Sequence, residues 1–249
     1  MQSIDTLRDL RLFKLDRKRI LIVSCDSAGG IGPKSFDNVK VSGSVVGKFT
    51  ARVALMEALS VGALPFCVTV SLSVEPQPTG AQILNGIRSE LRHASLTIAT
   101  TLHSSEKNFA VKQTGLGITI LSIASPRSLR MKACERGDAV MAIGTPQVGE
   151  EVVSGERNRS ISDTKDVRRL LKIPFVHEIL PVGSQGILHE AQILAKESGL
   201  KLSVKSELSL DIMKSAGPAT VTLCAIPNSR SELLRREIGK HVNAIGTLC

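Results

Sequence analysis

The chain contains no tryptophan and no tyrosine, and its six phenylalanines are dispersed. Proteins that hold single-stranded nucleic acid use aromatic side chains as stacking platforms, so this absence weighs against nucleic acid as a partner. Long apolar runs are missing too: none approaches the roughly 20 residues that cross a bilayer. The opening stretch, MQSIDTLRDLRLFKLDRKR, is charged throughout and has no apolar segment resembling a signal-peptide core. It predicts a cytoplasmic protein with no membrane partner. Five cysteines, Cys25, Cys67, Cys134, Cys224 and Cys249, stand singly, with no Cys-x-x-Cys or His/Cys spacing. Neither disulfides nor a structural zinc is expected. GxGxxG does not follow the first strand-like run, and GxxxxGK[ST] is absent. Those absences exclude a doubly wound dinucleotide fold and a Walker P-loop.

What is present is the balance of a folded protein: 249 residues, 42% hydrophobic and 22% charged. Lys and Arg exceed Asp and Glu by 32 to 23, a net charge of +9. Such an excess attracts anionic nucleotides and phosphorylated metabolites. Strand-like and helix-like patterns alternate. Residues 19–24 (RILIVS) read as a buried strand, 39–46 as a strand, 48–61 as a helix stopping at Gly62, and 66–74 as a strand. Thr79 is placed to cap a helix over 80–93. Residues 96–101 and 117–124 are the next strands. A second series follows: strand 138–143, helix 164–171, strand 176–180, helix 187–198, strand 219–226 and helix 229–240. The order predicts an α/β (α+β) protein of two domains, 1–127 and 128–249, with a boundary near Ser125-Pro126-Arg127.

Several segments carry candidate chemistry. In 25–32 (CDSAGGIG), Gly29, Gly30 and Gly32 allow close approach of backbone to an anion, and successive N–H groups in such a turn form an anion nest. Asp26 is a hard oxygen ligand suited to Mg²⁺. By residues alone the segment reads equally as a phosphate loop or a structural turn. Lys34, Asp37 and Lys40 follow in PKSFDNVKV, where Lys40 falls on the face opposite the valines; the bland alternative is a polar surface strand. Lys48 and Arg52 share a helix face at i, i+4, near an expected helix N-terminus at Gly47, and a plain amphipathic helix explains them equally well. Ser104, Ser105, Glu106, Lys107 and Asn108 form a polar group at a strand end, open to a metal or nucleotide or simply to solvent. Gly183 and Gly186 in PVGSQG permit a tight strand-to-helix turn. His177 and His189 read as structural, since no catalytic spacing joins them to a nucleophile.

In family order, DSAGGIG, GKFTARVALMEALSVGALP, the Glu106 loop, GTPQVGEEVV and VGSQGILHEAQILAKESGL resemble the superfamily of aminoimidazole ribonucleotide synthetase, thiamine-monophosphate kinase, selenophosphate synthetase and a hydrogenase maturation factor. Within it, DSAGGIGPKSFDNVKV with VGKFTARVALMEA is similar to the α-ribazole kinases, as are PTGAQILNGIRSEL, EKNF, ILPVGSQGI and SAGPATVTL. The resemblance spans roughly 19–226. It implies an N-terminal domain that binds ATP and pairs in a homodimer around a β-barrel-like core, beside a C-terminal α/β domain that faces a small nucleoside-like acceptor. The activity implied is Mg²⁺-dependent phosphoryl transfer from ATP to α-ribazole, in cobalamin salvage. The alternatives are another ATP-dependent enzyme of the superfamily, such as a thiamine-monophosphate kinase-like one, or a non-catalytic nucleotide-binding regulator.

By carry-over, the resemblance puts catalysis on Asp26, Lys34 and Asp37, and metal binding on Asp26 and Glu106. Gly29, Gly30, Gly32, Lys40, Lys48, Arg52, Ser105 and Asn108 are the expected nucleotide contacts. Two departures stand out. Leu102-His103-Ser104-Ser105 occupies the place of a Gly-Gly or Thr-Gly pair. Leu55-Met56-Glu57 replaces the Asn-Asp of many members, a change the α-ribazole kinases share.

Overall fold

The computed structural model describes residues 2–97 and 100–249, with side chains for 8–97 and 101–249. Contacts divide the chain into two units: Met1–Leu59 with Ala63–Leu129, and Ser60–Gly62 with Arg130–Cys249.

In the first unit, β1 (Gln2–Leu7) and β2 (Leu10–Lys14) form an antiparallel hairpin. β3 (Ile20–Gly29) is followed by β4 (Ile31–Gly32) and β5 (Val39–Lys40), two short strands that pair in parallel. Next come α1 (Gly43–Ser60), β6 (Leu64–Leu72), α2 (Ala81–His93), β7 (Thr100–Ser105) and β8 (Gly115–Ala124). The main sheet has the order β1-β2-β3-β8-β6-β7, antiparallel except between β6 and β7. Its two faces follow the strand period of two. β8 buries Leu116, Ile118, Ile120, Ser122 and Ala124. On that side, Ser24 Oγ donates to the Ala54 carbonyl at 2.8 Å and fastens β3 to α1. The opposite face carries half-buried Leu21, Val23, Leu121 and Ile123, with Leu64 and Leu102 exposed at 71% and 67%.

α1 and α2 meet at glycines. A Cβ on Gly47 would lie 2.1 Å from the Ile83 carbonyl oxygen, and one on Gly86 2.0 Å from that of Ser44. Nearby, fully buried Arg52 and Glu90 share two hydrogen bonds of 3.0 Å. The Arg52 guanidinium also stands 4.8 Å from the Phe49 ring centroid.

Several local expectations change. The strand that starts at RILIVS continues through CDSAG to Gly29, because all of β3 is in register with β8. The strand expected over 39–46 shrinks to Val39–Lys40, and α1 starts at Gly43, which puts Gly47 and Lys48 inside the helix. Thr79 does not cap α2; its hydroxyl donates instead to Glu75 Oε1 at 2.6 Å. Of the strand expected over 96–101, residues 98 and 99 lie outside the described residues, and β7 carries on to Ser105.

In the second unit the elements are β9 (Asp138–Ile143), α3 (Glu151–Asn158), α4 (Thr164–Leu170), β10 (Glu178–Pro181), α5 (Gly186–Glu197), β11 (Leu202–Val204), β12 (Thr222–Pro227), α6 (Ser231–Ile238) and β13 (Val242–Leu248). The sheet order is β10-β12-β9-β13-β11, with every neighbouring pair antiparallel. β9, β10, β12 and β13 therefore follow the split β-α-β arrangement. All six positions of the central β9 are buried, as expected for a strand covered on both faces. Asp163 caps α4 in a reciprocal capping box with Asp166. Lys240 Nζ donates to both carboxylates, at 2.9 and 2.6 Å. Among the described residues, no helix is long and apolar enough to cross a membrane.

Candidate functional site

The Gly-rich end of β3 and the loop after it are shaped by a distant segment, which meets Asp37 from 77 positions further along the chain. Asp37, 5% exposed, accepts from the Lys34 N–H and Thr114 Oγ1 on Oδ2 and from the Thr114 N–H on Oδ1, each at 2.7 Å. The Gly30 N–H donates to the Thr114 carbonyl at 3.0 Å, the Asn38 N–H to the Gly30 carbonyl at 2.7 Å, and the Phe36 N–H to the Lys112 carbonyl at 2.9 Å. Two glycines are needed for different reasons. Gly30 has φ +70°, the left-handed region. At Gly32 a Cβ would sit 2.3 Å from Thr114 Oγ1. A third segment joins them: the Ser73 N–H donates to the Gly115 carbonyl at 2.9 Å, and Lys34 Nζ forms an ion pair with Glu75. Burial alone would raise the Glu75 carboxyl, but hydrogen bonds from Lys34 and Thr79 overcome it and hold it at about 2.

These segments border an open depression of about 600 Å³, lined by Gly29, Gly30, Phe36, Asn38, Lys112 and Gln113 among others. That volume is in the range of small-molecule sites. A second recess of about 390 Å³ lies further back along β3, on the face that carries Ser27, Thr69, Ser71 and Thr119; Asp26 borders it, but its register opposite Ile118 puts its side chain on the other, α1-bearing face. Desolvation pushes the Asp26 carboxyl up to about 6, against a backbone hydrogen bond at Ser27 and with a smaller push from Asp9. A carboxyl so perturbed is a candidate functional group.

The structure brings Gly29, Gly30, Lys34, Asp37 and Lys40 to one locality but changes several roles. Asp37 is corrected from a catalytic group to the clasp of the loop, since both its oxygens are taken by the loop and Thr114. The nest of N–H groups is corrected as well, because the Gly30 amide is used by Thr114; the glycines give close approach instead. Lys40 Nζ donates to the carbonyls of Lys34 and Ser35, which leaves one ammonium hydrogen. Arg52, expected at the phosphates, is instead fully buried and paired with Glu90. Lys48 lies in the second turn of α1, away from the helix N-terminus. Ser105 ends β7, and Glu106 Oε1 accepts from the N–H groups of Asn108 and Phe109 at 2.6 and 3.2 Å, which lowers its pKa. Glu106 and Asn108 thus form a self-contained turn.

Sequence reasoning missed Phe36, Glu75, Lys112, Gln113 and Thr114. No local pattern marks them, because their roles come from long-range pairing. In the second unit, the turn before α5 packs on residues 212–216: Gly186 has φ +86°, and a Cβ there would lie 2.9 Å from the Lys214 carbonyl oxygen. His177 Nδ1 is 2.8 Å from Asp138 Oδ2, consistent with a structural histidine. Among the described residues, no group of three or more His, Cys, Asp or Glu side chains forms a metal cluster.

No protein-family model matches the chain, and no curated protein matches it in sequence. Solved structures do resemble it. Thiamine-monophosphate kinase from Stenotrophomonas maltophilia K279a superposes with a TM-score of 0.65 at 14% identity, over 97% of this chain and 89% of that one. AaThiL complexed with AMPPCP and TMP gives 0.65 at 14% identity, over 96% and 84%. Hydrogenase maturation protein HypE in complex with ATP gives 0.66 at 16% identity, over 97% and 80%. The chain thus has the mixed α/β fold of the aminoimidazole ribonucleotide synthetase-like proteins, the fold class its motifs imply.

Proposed function

We propose that this protein is an ATP-dependent small-molecule kinase whose nucleotide binds at the Gly-rich end of β3. The observation that carries the reading is the open depression of about 600 Å³ where the DSAGGIGPKSFDNVKV segment meets residues 111–115. The shared fold supports it, since structures of that fold hold ATP, or AMPPCP with TMP. In this reading the first unit binds ATP, and the protein acts in the cytoplasm.

Phosphoryl transfer needs positioning and charge neutralisation more than covalent chemistry. Gly29 and Gly30 let the phosphates approach the backbone, while Lys34 and Lys112 supply positive charge. Lys34 exchanges Glu75 for phosphate when the nucleotide enters. Mg²⁺ is commonly held by one or two carboxylates together with substrate phosphates. Asp26 offers one such carboxylate, and Glu106 is a weaker candidate because its own turn uses it. A bound ion would neutralise phosphate charge, and Asp26 would supply its carboxylate.

The acceptor assigned by the motif resemblance is α-ribazole, phosphorylated to α-ribazole phosphate in cobalamin salvage. The half-exposed apolar face of the sheet, with Leu21, Val23, Leu64, Leu102, Leu121 and Ile123, fits a homodimer built through the first unit. The test incubates the purified protein with ATP, Mg²⁺ and either α-ribazole or thiamine monophosphate and weighs the products by mass spectrometry. A phosphate gained on α-ribazole is expected. Phosphate gained only on thiamine monophosphate moves the protein to that activity. ATP binding with no ADP release on either substrate makes it a nucleotide-binding regulator, a reading favoured by the bulky Leu102-His103 departure.

A further inference from the structure

We infer that Phe36 is the platform on which a planar heterocycle of the bound ligand stacks, which makes it the residue that selects a nucleotide or nucleoside over a simple polyphosphate. The inference rests on the nucleotide reading above. Phe36 is 60% exposed and lines the depression beside the Gly-rich segment. A large apolar ring left in water at a loop tip gains by burial against a ligand.

The loop holds the Phe36 backbone in place. Its own N–H donates to the Lys112 carbonyl at 2.9 Å, and its carbonyl accepts from Gln113 Nε2 at 2.8 Å. The next residue, Asp37, is the buried clasp. An aromatic side chain with only two rotatable bonds offers contact area at small entropic cost. Lys112 Nζ lies 5.1 Å from the Phe36 ring centroid, so an ammonium and a π-face are presented together. That pair matches a ligand carrying both negative charge and an aromatic ring. Asn38, also lining the depression, adds a side-chain amide of the kind that bonds base edges.

The chain has no tryptophan, so Phe36→Trp places a single fluorescent reporter at the site. Three ligands are titrated: ATP, inorganic tripolyphosphate and α-ribazole. Stacking predicts that a ring-bearing ligand changes the Trp emission while tripolyphosphate does not. A response to ATP assigns the ring to the nucleotide base, and a response to α-ribazole assigns it to the acceptor; either supports the platform. In parallel, Phe36→Ala and Phe36→Leu are measured by calorimetry. Both should weaken the responding ligand by about 5- to 150-fold, the range of a lost base–aromatic stack, and leave tripolyphosphate affinity unchanged. Unchanged affinity for ATP and α-ribazole in Phe36→Ala overturns the inference while leaving the nucleotide site standing. So does equal loss of tripolyphosphate binding, which reports a misshapen loop, or a change of oligomeric state alone, which reports a subunit contact. If the wild-type protein binds none of the three, the nucleotide reading itself falls and the platform with it.

Discussion

Asp26 carries a stability cost that bears on its proposed role. Its folded-state value of about 6 stands above the ordinary 3.8, chiefly through desolvation. The folded protein therefore holds this proton more tightly than the unfolded chain, so stability falls as pH rises from about 4 to about 6. Above that, the ionised carboxylate costs about 3 kcal/mol. Asp26→Asn should raise the thermal midpoint of the ligand-free protein at pH 8, and the gain should vanish toward pH 4. The same variant should lower turnover at least ~10²-fold, the scale of one lost transition-state electrostatic contact. Near-normal turnover would remove Asp26 from the mechanism. Metal affinity should also drop below pH 6, where a proton competes for the carboxylate. The type and place of Asp26 were legible in the sequence, but its burial was not. The same limit applies to Asp37, which reads as a polar loop residue until Thr114 is brought to it.

At the scale of elements, the α1–α2 crossing depends on two missing methyl groups. Gly86→Ala puts a carbon against the Ser44 carbonyl and should destabilise by about 1–3 kcal/mol, the usual cost of overpacking, measured by denaturant unfolding. Arg52→Ala leaves Glu90 charged and buried, and should cost about 3–5 kcal/mol. The double variant Arg52→Met, Glu90→Met should cost clearly less and bind ATP as the wild type does; a tenfold weaker ATP affinity in it would restore a phosphate role to Arg52. Helical periodicity puts Lys48 and Arg52 on one side of α1. It cannot tell a solvated stripe from one facing Glu90, 38 positions away. β3 shows the converse: Ser, Asp and Gly are poor strand formers, yet the ladder with β8 extends the strand to Gly29. The charged hairpin of β1 and β2 gave no apolar alternation strong enough to reveal it.

At the scale of the whole molecule, the class of fold was legible because strand and helix patterns alternate, while sheet order was not. β9 lies between β12 and β13, partners about 80 to 100 positions away that no periodicity names. The net charge of +9 should steer anionic ligands, so stopped-flow association with ATP should slow several-fold from low salt to about 0.5 M. Salt-independent association would confine the attraction to the site itself. The clasp at Asp37 bears on the same rate. Fixing one residue's backbone costs about 1–2 kcal/mol of conformational entropy, and residues 30–37 reach their form through Thr114 before any ligand arrives. Their ordering belongs to folding, so capture needs no slow rearrangement of this loop and the on-rate reports encounter alone.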